Sequence, residues 1–234
     1  MFLPLGNPLL FLLILLIPLL FIMLFINAVT EAFIHLGLPP FAASILVLLS
    51  IVGSLINIPI KEVKRTSAVE FRAQPNSLFS FMYPQSRINR QMFSNTTLAV
   101  NVGGAIVPLF LCLYIVLRYP GYVFPWCLVT IPIAVIVCYK VARIVPNVGI
   151  VMPTFVPPMT AAFLAMIFSS GTDAVSLSYL TGVMGVIIGA DVLNLNKITQ
   201  TTASTISIGG AGTFDGIFLT GIVSVFLGNI VSMF

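Results

Sequence analysis

Two carboxylates stand out in this sequence for where they are placed. Asp191 closes "VIIGAD" and Asp215 sits in "GGAGTFDGIF", each within a long apolar stretch. The chain of 234 residues carries only six acidic side chains, so two in such surroundings call for a chemical reason. Two carboxylates at close range cannot both ionise cheaply. They share a proton, and such a pair can activate water for hydrolysis. Carboxylates set among apolar helices also bind cations or carry protons across membranes. Which chemistry is open depends on the elements that position them.

Those elements are apolar. Hydrophobic residues make up 59% of the chain and charged residues 7%, against about 25% charged in a soluble domain. A chain this poor in charge cannot cover a water-facing surface. Uncharged runs of about 18 residues read as membrane-spanning helices. They occur near Pro8–Thr30, Phe41–Ile60, Leu98–Leu117, Tyr122–Tyr139, Ile150–Phe168, Ala174–Asn194 and Ala211–Met233. A β-barrel would show alternation, which these runs lack. The expectation is an all-α, polytopic transmembrane helix bundle of about seven helices, forming a single membrane domain over residues 1–234. The first segment lacks a basic leader and a small-residue cleavage site, so it reads as a retained helix.

Basic residues orient the bundle. Lys61, Lys64, Arg65, Arg72, Arg87 and Arg90 cluster in 61–97, predicting a basic cytoplasmic loop there. Lys140, Arg143 and Lys197 fall on the same side and Arg118 on the other. The N-terminus is then cytoplasmic, the C-terminus external, and the protein a multi-pass protein of the cell membrane. The aromatic residues of the loop, from Phe71 to Phe93, suit contact with anionic lipid, although an ordinary positive-inside loop explains the charge as well. The Asn95 sequon lies on the predicted cytoplasmic side and is discounted.

This orientation sets the acids at similar depth. Asp191 lies near the end of the sixth segment, and Asp215 about four residues into the seventh, roughly 6 Å along its axis. Consecutive antiparallel helices are expected to be neighbours. Gly182, Gly185 and Gly189 in one, and Gly212 and Gly216 in the other, provide small-residue spacing for close approach. Asn57, Asn101 and Asn147 fall near the same side, with prolines that free backbone carbonyls. The five polar residues are expected to line one cavity open to the cytoplasm. "NVGGAIVP" and "NVGIVMP" are alike, as a short internal repeat would be, although chance similarity in apolar sequence explains them as well.

Plainer roles stand beside this one. Asp215 can cap the seventh helix. A carboxylate at a helix C-terminus opposes the dipole, so Asp191 needs a partner, either Lys197 or a wet cavity. Asp173 is expected to cap the sixth helix. Cys112, Cys127 and Cys138 read as apolar packers, and His35 is too isolated for a metal site. No metal or cofactor is expected, and no nucleic-acid module appears.

The stretches "GSLINIP", "NVGGAIVPL", "VGIVMPTFVPP", "YLTGVMGVIIGADVLNL" and "SIGGAGTFDGIFLTGI" resemble a prokaryotic membrane-protein family known as domain of unknown function 1614. The resemblance implies a polytopic membrane protein and brings no activity with it. Three functions follow from the residues. One is ion- or proton-coupled transport of a small solute. Another is an intramembrane aspartyl-protease-like hydrolase acting on a membrane peptide, with Asp191 and Asp215 as the catalytic pair. "GAD" and "FD" resemble the GxGD and YD motifs of the presenilin and signal-peptide-peptidase group, with Ala190 replacing a glycine, the acids in opposite order and no clear PAL motif. The third is a non-catalytic subunit in a membrane assembly. Signatures of soluble enzymes are absent.

Overall fold

The computed structural model describes residues 8–66, 93–119, 121, 123–145, 149–198 and 205–233. Helices dominate: α1 Pro8–His35, α2 Pro40–Gly53, α3 Val107–Arg118, α4 Phe124–Val141, α5 Val156–Phe168, α6 Gly171–Gly185, the single turn α7 Leu195–Ile198, and α8 Gly216–Val231. Proline at the first positions of α2, α3, α4 and α5 suits a turn whose N–H groups have no intrahelical partner. Two helices, Leu12–His35 and Gly171–Lys197, are long and apolar enough to cross a membrane. The other apolar helices are shorter, among them Pro40–Gly53, Val156–Phe168 and Gly216–Val231.

The centre of the molecule is α6. Every residue from Ala174 to Val183 is buried, within a ring formed by α3, α4, α5 and α8. Missing side chains make this packing possible. A Cβ on Gly189 would stand 2.4 Å from the Val135 carbonyl oxygen, and one on Gly185 2.8 Å from the Ala134 Cβ. The Gly185–Gly189 spacing therefore sets α6 and its continuation against α4. Gly182 and Gly221 serve the α6–α8 contact instead, facing Ser224 and Tyr179. The second spacing does not join helices. Gly212 is a turn residue with φ +65° pressed on Ser54, and Gly216 meets only the end of Met152.

The fold is mostly helical but not all-α. Strands β1 Asn57–Thr66, β2 Phe93–Asn101 and β5 Thr205–Ile208 form a sheet in the order β1-β2-β5. β1 and β2 are antiparallel, with Asn57 opposite Asn101, and β5 runs parallel to β2, with Thr97 opposite Thr205. β3 Arg143–Val145 pairs with β4 Gly149–Val151. The second predicted segment thus stops at Gly53 rather than Ile60. Ile58 precedes a proline, which disfavours helical backbone, and Asn57–Ile60 continues as strand. The third segment becomes helical after Asn101, not at Leu98. The ends of the predicted 61–97 loop are the arms of this hairpin, and residues 67–92 lie outside the described residues.

The two ends of the bundle differ. At the C-terminus of α3, Arg118 donates to the hydroxyls of Tyr114 (2.7 Å) and Tyr119 (3.0 Å), and Tyr114 donates to the Gly37 carbonyl. Asp173 lies in the first turn of α6, where a negative charge meets the helix dipole favourably. The N-cap position belongs to Ser170, which makes no side-chain cap bond.

Candidate functional site

Asp191 owes its position to a break in its helix. After Gly185 the chain widens into a π-helical turn, Val186–Asp191, then tightens into a 3₁₀ turn, Val192–Asn194. Such a transition leaves carbonyls short of donors. The Asn194 amide supplies them, donating to Ala190 at 2.9 Å and Gly189 at 3.3 Å. Its own oxygen accepts from Lys197 at 3.2 Å, and Lys197 also donates to the Tyr139 hydroxyl at 3.1 Å. Lys197 is therefore engaged elsewhere and is not the partner of Asp191. Among the described residues, the Asp191 carboxylate makes no hydrogen bond. π-helical turns and short 3₁₀ stretches inside helices recur at functional sites.

Asp215 is placed by a turn. Gly209 and Gly212 both take positive φ, and the chain then runs through a short 3₁₀ turn, Gly212–Phe214, to an extended residue. Asp215 is the N-cap of α8, not a residue inside it. Oδ1 accepts from the Ile217 N–H at 2.9 Å and Oδ2 from the Ala211 N–H at 3.3 Å. The expected capping role is met, and it leaves the carboxylate facing a cavity.

That cavity, about 220 Å³ in volume, is lined by both Asp191 and Asp215. Thr154 and Thr220 add hydroxyl groups to the lining. β4 contributes Ile150 and Val151, and Met152, Pro157, Val186, Phe214 and Leu219 complete the apolar walls. Among the described residues, no basic side chain lines it. Phe214 also stacks on Phe25 of α1, with ring centres 5.5 Å apart.

Asn57 and Asn101 go elsewhere. Asn101 is fully buried, and its side chain spends every polar atom on structure. Its oxygen accepts from the Gly104 N–H at 2.8 Å, capping the π-helical turn Val102–Ile106. Its amide donates to the Ser54 carbonyl at 2.8 Å and to the Asn57 oxygen at 3.1 Å. Ser207 of β5 donates to the same Asn57 oxygen at 2.6 Å. The Ser54 hydroxyl donates to the Ser50 carbonyl and accepts from the Thr213 N–H. This junction ties α2, the sheet and the turn before Asp215 together. Asn147 lies outside the described residues. Of the expected cavity residues, the structure brings Asp191 and Asp215 together and puts Asn57 and Asn101 in a second, separate cluster.

The sequence model of a family described as a protein of unknown function (DUF1614) matches residues 51–227. The chain belongs to the DUF1614 family. The matched region of this DUF1614 chain contains both carboxylates, both threonines of the cavity and the asparagine junction apart from Ser50, and leaves out α1 and most of α2. No curated protein and no solved structure matches it. Thr154 and Thr220 were not singled out from the sequence. Thr220 lies five residues beyond Asp215 and Thr154 sits in "MPTF", and threonine inside apolar helices is too common to be a signal of its own.

Proposed function

We propose that the protein is a polytopic, multi-pass protein of the cell membrane, with its N-terminus cytoplasmic and its C-terminus external, that couples transport of a small solute to a proton or cation held at Asp191 and Asp215. The membrane placement is supported by apolar side chains that face outward along α1, α2, α3, α4 and α5, including Leu15, Phe41, Leu48, Leu117, Leu128 and Phe163. Continuous apolar surface of this kind marks a lipid or protein contact. Arg118, the exception to the charge rule, has its guanidinium taken up by two tyrosines, as suits the interfacial aromatic belt.

One observation carries the transport reading: two carboxylates share a cavity that, among the described residues, no basic side chain lines. Such a site attracts positive charge, and a helix broken at the charged residue is a common construction in carriers. In proteoliposomes, an imposed pH or sodium gradient is expected to drive solute-dependent flux that Asp191→Asn abolishes. Flux that is gradient-independent, or unchanged in Asp191→Asn, overturns the reading.

A second reading has an observation of its own. Among the described residues, the Asp215 carboxylate accepts two backbone N–H bonds and the Asp191 carboxylate accepts none. Unequal surroundings are what a general acid–base pair needs, with the hydrogen-bonded carboxylate ionised and its neighbour holding the proton. As a hydrolase, the protein would cleave an apolar transmembrane peptide, and either Asp191→Asn or Asp215→Asn would stop cleavage. Retained cleavage in either variant removes this reading.

A further inference from the structure

Thr220 is 3% exposed and lines the Asp191–Asp215 cavity. Its methyl packs toward α6, where a Cβ on Gly182 would come within 3.0 Å of it. The hydroxyl is therefore the group left to face the cavity. Hydroxyls on apolar helices often donate to the carbonyl one turn back. Thr30, Ser44 and Thr160 do so, to Ile26, Pro40 and Val156. Thr220 has the Gly216 carbonyl at that spacing, yet among the described residues its hydroxyl makes no hydrogen bond. A buried hydroxyl left unmatched on the wall of a cavity with two carboxylates points to a ligand.

The cavity also sets the kind of ligand. Its volume of about 220 Å³ is room for about seven molecules the size of water. Met152, Val186 and Leu219 are among its apolar walls. An inorganic ion would use the oxygens and leave those walls wet. Among the described residues, no cluster of three His, Cys, Asp or Glu side chains is placed to hold a metal. A ligand with an apolar body covers the walls and sets its charge on the acids. Among the described residues, no basic side chain lines the cavity to receive a carboxylate or phosphate on that ligand, so its charge is positive only. The acceptors then select its head group. A primary ammonium has three N–H donors and no acceptor, and Asp191, Asp215 and Thr220 all offer acceptors. Each Asp215 oxygen already takes one N–H, from Ile217 or Ala211, and keeps a second lone pair. A quaternary ammonium donates nothing and would leave all three residues unmatched.

We propose that the solute of this cavity is a small primary amine in its ammonium form, its head held by Asp191, Asp215 and Thr220 and its body against Met152, Val186 and Leu219. The volume limits that body to about six carbons beside the nitrogen. The proposal rests on the reading of the cavity as a cation site and names the molecule that fills it. Phe214 suits the same ligand. It lines the cavity, is 64% exposed and stacks on Phe25, and an aromatic ring at the rim attracts a cation on its way in.

Equilibrium binding of tritiated cyclohexylamine to the full chain in detergent, near neutral pH, tests this without any need for flux. Saturable binding is expected. Cyclohexanol, which has the same body and no charge, should compete about a hundredfold more weakly, because charge-assisted hydrogen bonds are lost. Tetramethylammonium and sodium should compete as poorly as cyclohexanol. Thr220→Val keeps the methyl against α6 and should weaken binding about tenfold, whereas Thr220→Ser should bind within about threefold of the native protein. Asp191→Asn should weaken binding about a hundredfold, and it carries the test if Thr220→Val does not fold. Absence of saturable binding, equal competition by cyclohexanol, or full binding in a folded Thr220→Val overturns the proposal. Competition by sodium at the concentration of the amine overturns it in favour of an inorganic ion. Amine binding without gradient-driven flux in proteoliposomes would count against transport alone. Gradient-driven flux of another solute, without amine binding, would count against the amine alone.

Discussion

Asn101 and Asp191 are both polar groups set among apolar helices, and the protein treats them in opposite ways. Every polar atom of the Asn101 side chain is matched, to Gly104, Ser54 and Asn57. The Asp191 carboxylate has no hydrogen bond among the described residues, and Asp191 lines a cavity. A buried polar group that is fully matched stabilises its surroundings. One left unmatched in a native structure asks for another explanation. The contrast separates a joint from a site, although both lie beside the same turn, Gly209–Asp215.

Substitutions can test that separation. The largest effect is expected from Gly104→Ala, whose Cβ would sit 2.2 Å from the Gly209 carbonyl oxygen. Overpacking against backbone should cost about 3 kcal/mol or more, read as a lower unfolding midpoint in detergent. Asn101→Ala comes next. It removes a cap and strands buried partners, for about 2–3 kcal/mol. Asp215→Ala should cost about 1 kcal/mol as a lost N-cap, while Asp215→Asn keeps the acceptor and costs only a few tenths. Asp191→Asn is expected to change stability by less than about 0.5 kcal/mol, since no matched bond is lost. If Asp191→Asn destabilises as much as Asn101→Ala, the distinction between joint and site collapses. If it leaves folding intact and ends activity, the distinction sharpens.

The helices were legible because long uncharged runs have few alternatives. The sheet was not. "NIPI" closes the second apolar run and "LAV" opens the third, and a short apolar stretch does not reveal whether it is strand or helix by periodicity. β5, "TISI", pairs in parallel with a strand more than a hundred residues earlier, and no local pattern reports a partner that distant. The meeting of Asp191 and Asp215 followed from depth and adjacency. Depth alone misplaced Asn57 and Asn101, because it says nothing about direction around the axis or about strand backbone. The glycines show the same limit. Gly185 and Gly189 did mark close packing, but against α4, and Gly212 was needed for its left-handed turn rather than for helix contact.

The central position of α6 has a consequence for the order of assembly. α6 emerges from the ribosome before α8, yet Ser178 and Gly182 find their neighbours in Ser224 and Thr220 of α8. During synthesis, α6 has to persist with one wall missing. The packing of α6, and with it the Asp191–Asp215 cavity, closes only when α8 arrives, so the wall of the site and the burial of α6 are completed in the same step.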